Sequence, residues 1–161
     1  MANIIDTEGL GTKLRKLLEL LDGDLEAIYK IDGLDYRPRY TPIMKALVQR
    51  SPLTVKEIAM QAGTSHSAAS QSVAKMVAAG WLQQTDGSTG RDARERPVSL
   101  TENGRKQLPS LQLRWESTQR AAESLDEELG NQLVSTLDGA IAALKCRSFK
   151  ERIQDARGED G

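Results

Sequence analysis

Cysteine and histidine each occur once in this 161-residue chain, as Cys146 and His66. One thiol cannot close a disulfide within the chain, and no Cys/His cluster has the spacing of a metal site. That usage suits a reducing compartment. No apolar run approaches the ~20 residues needed to cross a bilayer. The opening MANIIDTEG lacks a basic stretch ahead of an apolar one, so neither a secretory leader nor a membrane partner is expected. No nucleophile–base pair, glycine-rich phosphate loop or paired-carboxylate motif stands out, so neither catalysis nor a cofactor is expected. Internal repeats and low-complexity tracts are also missing. The expectation is a soluble, cytoplasmic protein with one core.

What is present is most informative between Leu53 and Thr101. Apolar Val55, Ile58, Ala59 and Ala62 mark one face of a short helix. Gly63 breaks it, and Thr64-Ser65 supplies a fresh N-cap. Ala69, Val73, Met76 and Val77 then mark the buried face of a second helix. Two apolar-striped helices joined by a few residues with a glycine predict a helix-turn-helix. Its second helix is free to enter a DNA major groove. The exposed positions Ser65, His66, Ser67, Ser70, Gln71, Ser72 and Lys75 are small or polar. Hydroxyls, an amide and an amine can bond phosphates or base edges, and small side chains let the helix backbone sit deep. His66 could donate to a phosphate or a purine N7, although a lone surface histidine is more often incidental.

After Gly80, the run Trp81 to Thr85 reads as a strand and Val98-Ser99-Leu100 as its return. Pro97 cannot donate to a ladder and fits a strand start. The tip between them carries Arg91, Arg94 and Arg96, with Asp92 and Glu95 among them. Arginines beside a recognition helix suit phosphate or minor-groove contact. An ordinary exposed turn with compensated charges is the plainer alternative.

The formal net charge is −1, but it is segregated. Residues 37–106 carry eleven Lys/Arg against five Asp/Glu, net +6, whereas residues 1–36 are net −4 and residues 107–161 net −3. Attraction to phosphate acts over roughly a Debye length of ~8–10 Å, so the local excess matters more than the total.

Asp92-x-Arg94-x-x-x-Val98-x-Leu100-Thr101-x-x-Gly104-Arg105 resembles the wing signature of the MarR family of bacterial winged-helix regulators. The turn Ala62-Gly63-Thr64-Ser65, then Ser67, Ser70, Val73 and Met76, is similar to that family's recognition-helix pattern, and Gly80-Trp81-Leu82 to its entry into the wing. The resemblance covers residues about 10–145. It implies a mainly α fold with a small β-hairpin wing: a winged helix-turn-helix head over residues 37–101, and helical dimerisation segments over residues 10–35 and 102–146. By the same resemblance Asp92 braces the wing through a nearby arginine and Arg94 reaches into the minor groove. Gln71 and Ser72 stand where relatives often carry a basic and an aliphatic residue.

The flanks fit this arrangement. Leu10, Leu14, Leu17, Leu18, Leu21, Leu25 and Ile28 recur at helical steps, predicting an amphipathic helix of about twenty residues weakened at Gly23 and ended by Asp32-Gly33. Thr41-Pro42 is read as an N-cap and first-turn proline, with Ile43, Met44, Leu47 and Val48 inward and Ser51-Pro52 closing that helix. Thr101 is read as the N-cap of a later helix, with a kink or restart at Pro109. A last helix is read along Leu125, Leu129, Leu133, Leu137, Ile141 and Leu144, and residues 147–161 as a charged tail fraying from about Arg152. Two long leucine-striped helices need a covering surface, and in a homodimer each chain supplies it to the other.

The functional expectation is a homodimeric, sequence-specific double-stranded DNA-binding regulator reading a pseudo-palindrome, with repression as the expected sign. The resemblance implies relief by a small aromatic effector near the junction of dimer helix and head, where Tyr36, Tyr40, Met44 and Trp115 either line a pocket or pack as a hinge; packing is favoured. Arg37 and Arg39 share that junction. Some relatives sense oxidants through cysteine, but Cys146 lies at the far end of the chain and reads as a plain thiol. A winged-helix protein-interaction module without DNA binding, and an activator in place of a repressor, remain open on sequence.

Overall fold

The computed structural model describes residues 9–85 and 96–158. Its contacts divide the chain into one unit ending at Gln107 and a second beginning at Leu108. In the first unit, α1 runs from Leu10 to Ile31, a 3₁₀ turn from Pro38 to Tyr40, α2 from Thr41 to Gln49, α3 from Val55 to Gln61 and α4 from His66 to Ala78. Strands β1 (Leu82–Gln84) and β2 (Val98–Leu100) pair antiparallel, with Leu82 opposite Leu100 and Gln84 opposite Val98. Helix α5, Glu102–Glu128, begins in this unit and continues into the second.

Helix α1 passes through Gly23 without a break and ends where Gly33 takes φ +70°. Leu34 N–H then reaches back to the Tyr29 carbonyl at 2.8 Å and Gly33 N–H to Lys30 at 3.0 Å. That pair of bonds satisfies carbonyls the helix end would orphan. Thr41 is not the N-cap of α2. The 3₁₀ turn runs directly into the helix, Thr41 is already helical, and its Oγ1 lies 3.2 Å from the Tyr36 hydroxyl, which donates to it. Helix α3 has a full capping box. The Thr54 side chain accepts from Glu57 N–H at 3.2 Å, while the Glu57 carboxylate accepts from Thr54 N–H at 2.8 Å.

Helices α2, α3 and α4 pack on one another around Met44, Leu47, Ile58, Ala69, Val73 and Met76, all buried. Apart from Ala69, side chains of this size contribute about 1.5–3 kcal/mol each on burial. Leu53 adds a rung to the hairpin. It donates to the Val98 carbonyl at 3.0 Å and accepts from Val98 N–H at 2.7 Å, so the segment between α2 and α3 is stitched to β2. On α1 only Tyr29 is buried, and Leu10, Leu18, Leu20 and Ile31 are all more than half exposed.

The second unit contains the rest of α5, α6 (Leu133–Cys146) and α7 (Phe149–Gly158). Pro109 lies inside α5 without ending it, one residue past the start of this unit. The last leucine series is not one helix. Gly130 and Asn131 take φ +73° and +59°, and the Asp126 carboxylate caps the start of α6 by accepting from Leu133 N–H at 2.7 Å. The stretch expected to fray is instead α7. Ser148 caps it, accepting from Glu151 N–H at 3.3 Å, while Glu151 accepts from Ser148 N–H at 2.7 Å and from its hydroxyl at 2.8 Å. No residue of α6 or α7 is buried; Leu129, Val134, Ile141 and Phe149 are each at least half exposed.

Candidate nucleic-acid interface

Helix α4 is bounded at both ends by glycines in the left-handed backbone region that glycine adopts without steric cost. Gly63, at φ +64°, turns the chain out of α3, with Thr64 N–H bonded to the Ala59 carbonyl at 3.0 Å. Gly80, at φ +78°, turns it out of α4, with Trp81 N–H bonded to Met76 at 2.9 Å. A side chain at either position would strain the turn. Ser65 is the N-cap, its hydroxyl oxygen accepting from Ala68 N–H at 3.2 Å. That oxygen already serves the helix, although Ser65 stays exposed and its O–H can still donate.

With Ala69, Val73 and Met76 inward, the opposite face of α4 is set by helical geometry. His66, Ser67, Ser70, Gln71 and Lys75 are exposed and Ser72 is half-buried. Ser67, Gln71 and Lys75 stand along that opposite face with Ser70 beside them, whereas His66 and Ser72 flank the buried stripe. No long apolar side chain stands among them. Arg96 is exposed just before β2. Arg91, Asp92 and Arg94 lie outside the described residues, as does the wing-bracing contact expected of Asp92.

The motif Leu100-Thr101-x-x-Gly104-Arg105 proves to be a joint between the hairpin and α5. Thr101 Oγ1 accepts from Gly104 N–H at 2.9 Å and donates to the Gly80 carbonyl at 2.6 Å. Thr101 N–H donates to the Trp81 carbonyl at 3.1 Å, and the Arg105 guanidinium to the Leu100 carbonyl at 2.8 Å. Gly104 sits so close to the Trp81 carbonyl that a Cβ there would lie 2.4 Å from its oxygen. One threonine thus ties the end of α4, the start of β1 and the start of α5 together.

Trp81 is the other anchor. It is buried, and its indole N–H donates to the Asp35 carbonyl at 2.7 Å. The Tyr36 ring packs edge-on against Tyr29, Tyr40 and Trp81, with centroids 5.0, 5.8 and 5.2 Å away. Tyr36, Tyr40 and Met44 are 3%, 4% and 0% exposed, so these three of the four effector-pocket candidates are packed as core. Trp115 belongs to the second unit.

A cleft of about 320 Å³ opens beside α4. Arg39, Thr64, Gln71, Ser72 and Lys75 supply its polar lining, and Pro42, Ile43 and alanines its floor. Sequence reading placed Arg39 at a junction and did not connect it with α4. Its charge was visible; the fold-back of the 3₁₀ turn onto α4 was not. Among the described residues no group of three or more His, Cys, Asp or Glu side chains converges as a metal site, and no helix is long and apolar enough to cross a membrane. Cys146 is exposed at the end of α6. The Glu57 carboxyl is held below its ordinary value of 4.5 by the Thr54 backbone N–H, then by the Thr54 hydroxyl, with Arg50 adding a smaller effect.

Residues 38–95, which include the 3₁₀ turn through α4 and into the hairpin, match a profile described as MarR family. No curated protein matches the chain. Several solved structures share its fold. A MarR family transcriptional regulator from Silicibacter pomeroyi is 20% identical at TM-score 0.60, covering 86% of this chain and 96% of its own. A MarR family regulator from Neisseria meningitidis is 20% identical at TM-score 0.57, covering 99% and 100%. A transcriptional regulator from Streptomyces coelicolor, solved in complex with its natural ligand, is 17% identical at TM-score 0.62, covering 88% and 99%.

Proposed function

Taking the chain as a MarR-family winged-helix regulator, we propose that it is a homodimeric repressor binding a pseudo-palindromic site on double-stranded DNA. The observation that carries this reading is the exposed face of α4. Ser67, Ser70, Gln71 and Lys75 stand together on a helix whose other face is locked into the core, with His66 at its first turn. Placed in a major groove, these side chains meet base edges and phosphates, and Ser65 presents the positive end of the helix dipole. Arg91, Arg94 and Arg96 then serve the adjacent minor groove or backbone, with Asp92 bracing the tip.

The exposed apolar positions of α1, α6 and α7 support the dimer. Leu18, Ile31, Ile141 and Phe149 are each more than half exposed in the single chain. A twofold partner would cover such positions and present two heads to half-sites about one helical turn, ~34–36 Å, apart. Residues 10–35 and 102–146, with α7 beyond them, form the dimerisation region in this reading. A small aromatic effector would relieve repression by favouring a spacing of the heads that no longer matches successive grooves. Tyr36, Tyr40 and Met44 would respond to it as packing around the junction. The S. coelicolor regulator, solved in complex with its natural ligand, is a ligand-binding protein of this fold and so supports looking for an effector here.

The test is fluorescence anisotropy with the DNA upstream of the protein's own coding region and with a scrambled duplex of equal length. Tighter binding to the first, weakening with salt, is expected. Equal affinity for both removes the sequence-specific reading. Absence of salt-dependent binding to either favours a protein-interaction module on the same scaffold.

A further inference from the structure

The cleft beside α4 has a chemical character of its own. Two of its lining residues are cationic, Arg39 and Lys75; Thr64 and Ser72 bring hydroxyls and Gln71 an amide. Among the described residues no carboxylate lines it. The hydroxyls, amide and cations are all able to donate, which suits an anion bearing several oxygens. Its walls come from two stretches of chain: the 3₁₀ turn and first residues of α2 on one side, and the α3–α4 turn with α4 on the other.

Arg39 is prepared for this task. It lies on the 3₁₀ turn, whose Tyr40 N–H is bonded to the Arg37 carbonyl at 2.9 Å. The next side chain, Tyr40, is buried, and the Arg39 guanidinium stands over its ring, 5.7 Å from the centroid. Stacking on a fixed ring restricts the arginine before any ligand arrives, so less rotamer freedom remains to be lost on binding. By contrast, the exposed Arg50 of the same head is paired with Glu57 at 3.3 Å.

We propose that this cleft seats one phosphate of the DNA backbone flanking the recognition helix, with Arg39 as its principal clamp and Lys75, Thr64 and Ser72 closing around it. The inference rests on the DNA-binding reading above and extends it to a contact outside α4 and the wing. The occupant is assigned to DNA because Gln71, Ser72 and Lys75 belong to both the cleft and the helix that faces the groove. A backbone running beside that helix passes the mouth of the cleft. The contact fixes the angle of α4 in the groove and carries no base information.

Anisotropy titrations of wild type, Arg39→Gln, Arg39→Lys and Arg50→Gln decide the matter, each on the upstream duplex and a scrambled one, between about 50 and 200 mM salt. One phosphate contact contributes about 0.9 to the slope of log K against log salt. Arg39→Gln should flatten the slope by about that amount on both duplexes. Its affinity deficit should then be about 3.5-fold larger at the low-salt end than at the high. Arg39→Lys keeps the charge and should keep the slope; Arg50→Gln should match wild type. An unchanged slope in Arg39→Gln overturns the proposal while leaving DNA binding intact, as does an equal loss of slope in Arg39→Lys. Wild type that binds neither duplex overturns both readings. Saturable binding of inorganic phosphate to the DNA-free protein, abolished by Arg39→Gln without change in the DNA salt slope, assigns the cleft to a free anion and also overturns the proposal.

Discussion

Replacing Gly104 with alanine tests the joint between hairpin and α5 through the sign of the effect. In an exposed helix interior, glycine to alanine stabilises by about 0.5–1 kcal/mol, because glycine loses more backbone freedom on folding. At Gly104 the new Cβ would lie 2.4 Å from the Trp81 carbonyl oxygen and 3.3 Å from its carbon, both backbone atoms, and 3.4 Å from a Leu100 methyl. Ordinary contact begins near 3.4 Å, so the start of α5 and the Trp81 peptide must separate by about 1 Å. Overpacking of this kind costs about 1–3 kcal/mol. The movement also stretches the bond from Thr101 N–H to the same carbonyl, now 3.1 Å, and one intramolecular hydrogen bond is worth about 1 kcal/mol. After the helix-propensity gain is deducted, the net loss is about 1–3 kcal/mol. For a chain of this length that is a fall in Tm of roughly 2–4 °C per kcal/mol. Urea unfolding followed by circular dichroism is the assay, with Gly23→Ala in α1 as the control. Nothing lies within 4 Å of a Cβ at Gly23, so that variant should be unchanged or slightly more stable. A Gly104→Ala protein as stable as wild type would refute the close approach.

Thr54→Ala removes the capping box of α3 and should lower stability by about 1 kcal/mol, read as a shift in the urea midpoint; an unmoved midpoint means the cap is not formed in solution. Two glutamates give the molecule an acid-side pH dependence. Glu57 is lowered by the Thr54 backbone and then its side chain, and Glu151 by the Ser148 side chain and then its backbone. A depressed folded value stabilises fully above the ordinary 4.5 and is lost as pH falls through the folded value. Glu57→Gln should therefore lose less stability than wild type between about pH 5 and 3, and parallel declines would count against it. Leu18→Glu in α1 or Ile141→Glu in α6 should shift the protein toward monomer in sedimentation velocity at micromolar concentration, whereas an unaltered dimer would place the interface elsewhere.

Helix α4 was legible because its signals are local: Gly63 and Gly80 punctuate it, Ser65 caps it, and Ala69, Val73 and Met76 keep a single period. The hairpin strands were legible as alternation and the Leu-Thr-x-x-Gly run as a motif, but the reason for that motif was not. Only in three dimensions does Gly104 meet the Trp81 carbonyl. The Leu53–Val98 rung is a single pair of distant residues with no periodicity to betray it. Regular leucine spacing concealed the break at Gly130-Asn131, although glycine and asparagine are the residues that tolerate the left-handed turn found there. The density of charge after Lys145 concealed the Ser148-x-x-Glu151 capping box, whose reciprocal bonds begin α7. Arg39 was visible as a charge and invisible as a neighbour of α4, because that proximity is created by the fold of a three-residue turn.

The ring stack around Tyr36 joins the last turns of α1, through Tyr29, to the entrance of the hairpin, through Trp81. Edge-on rings tolerate little sliding before their favourable geometry is lost. A tilt of that first helix is therefore felt at an indole that is sealed from water and pinned by its N–H. That indole is an optical gauge built into the joint: with Trp115 replaced by phenylalanine, emission from Trp81 would report any displacement between the long amino-terminal helix and the strand without an attached dye.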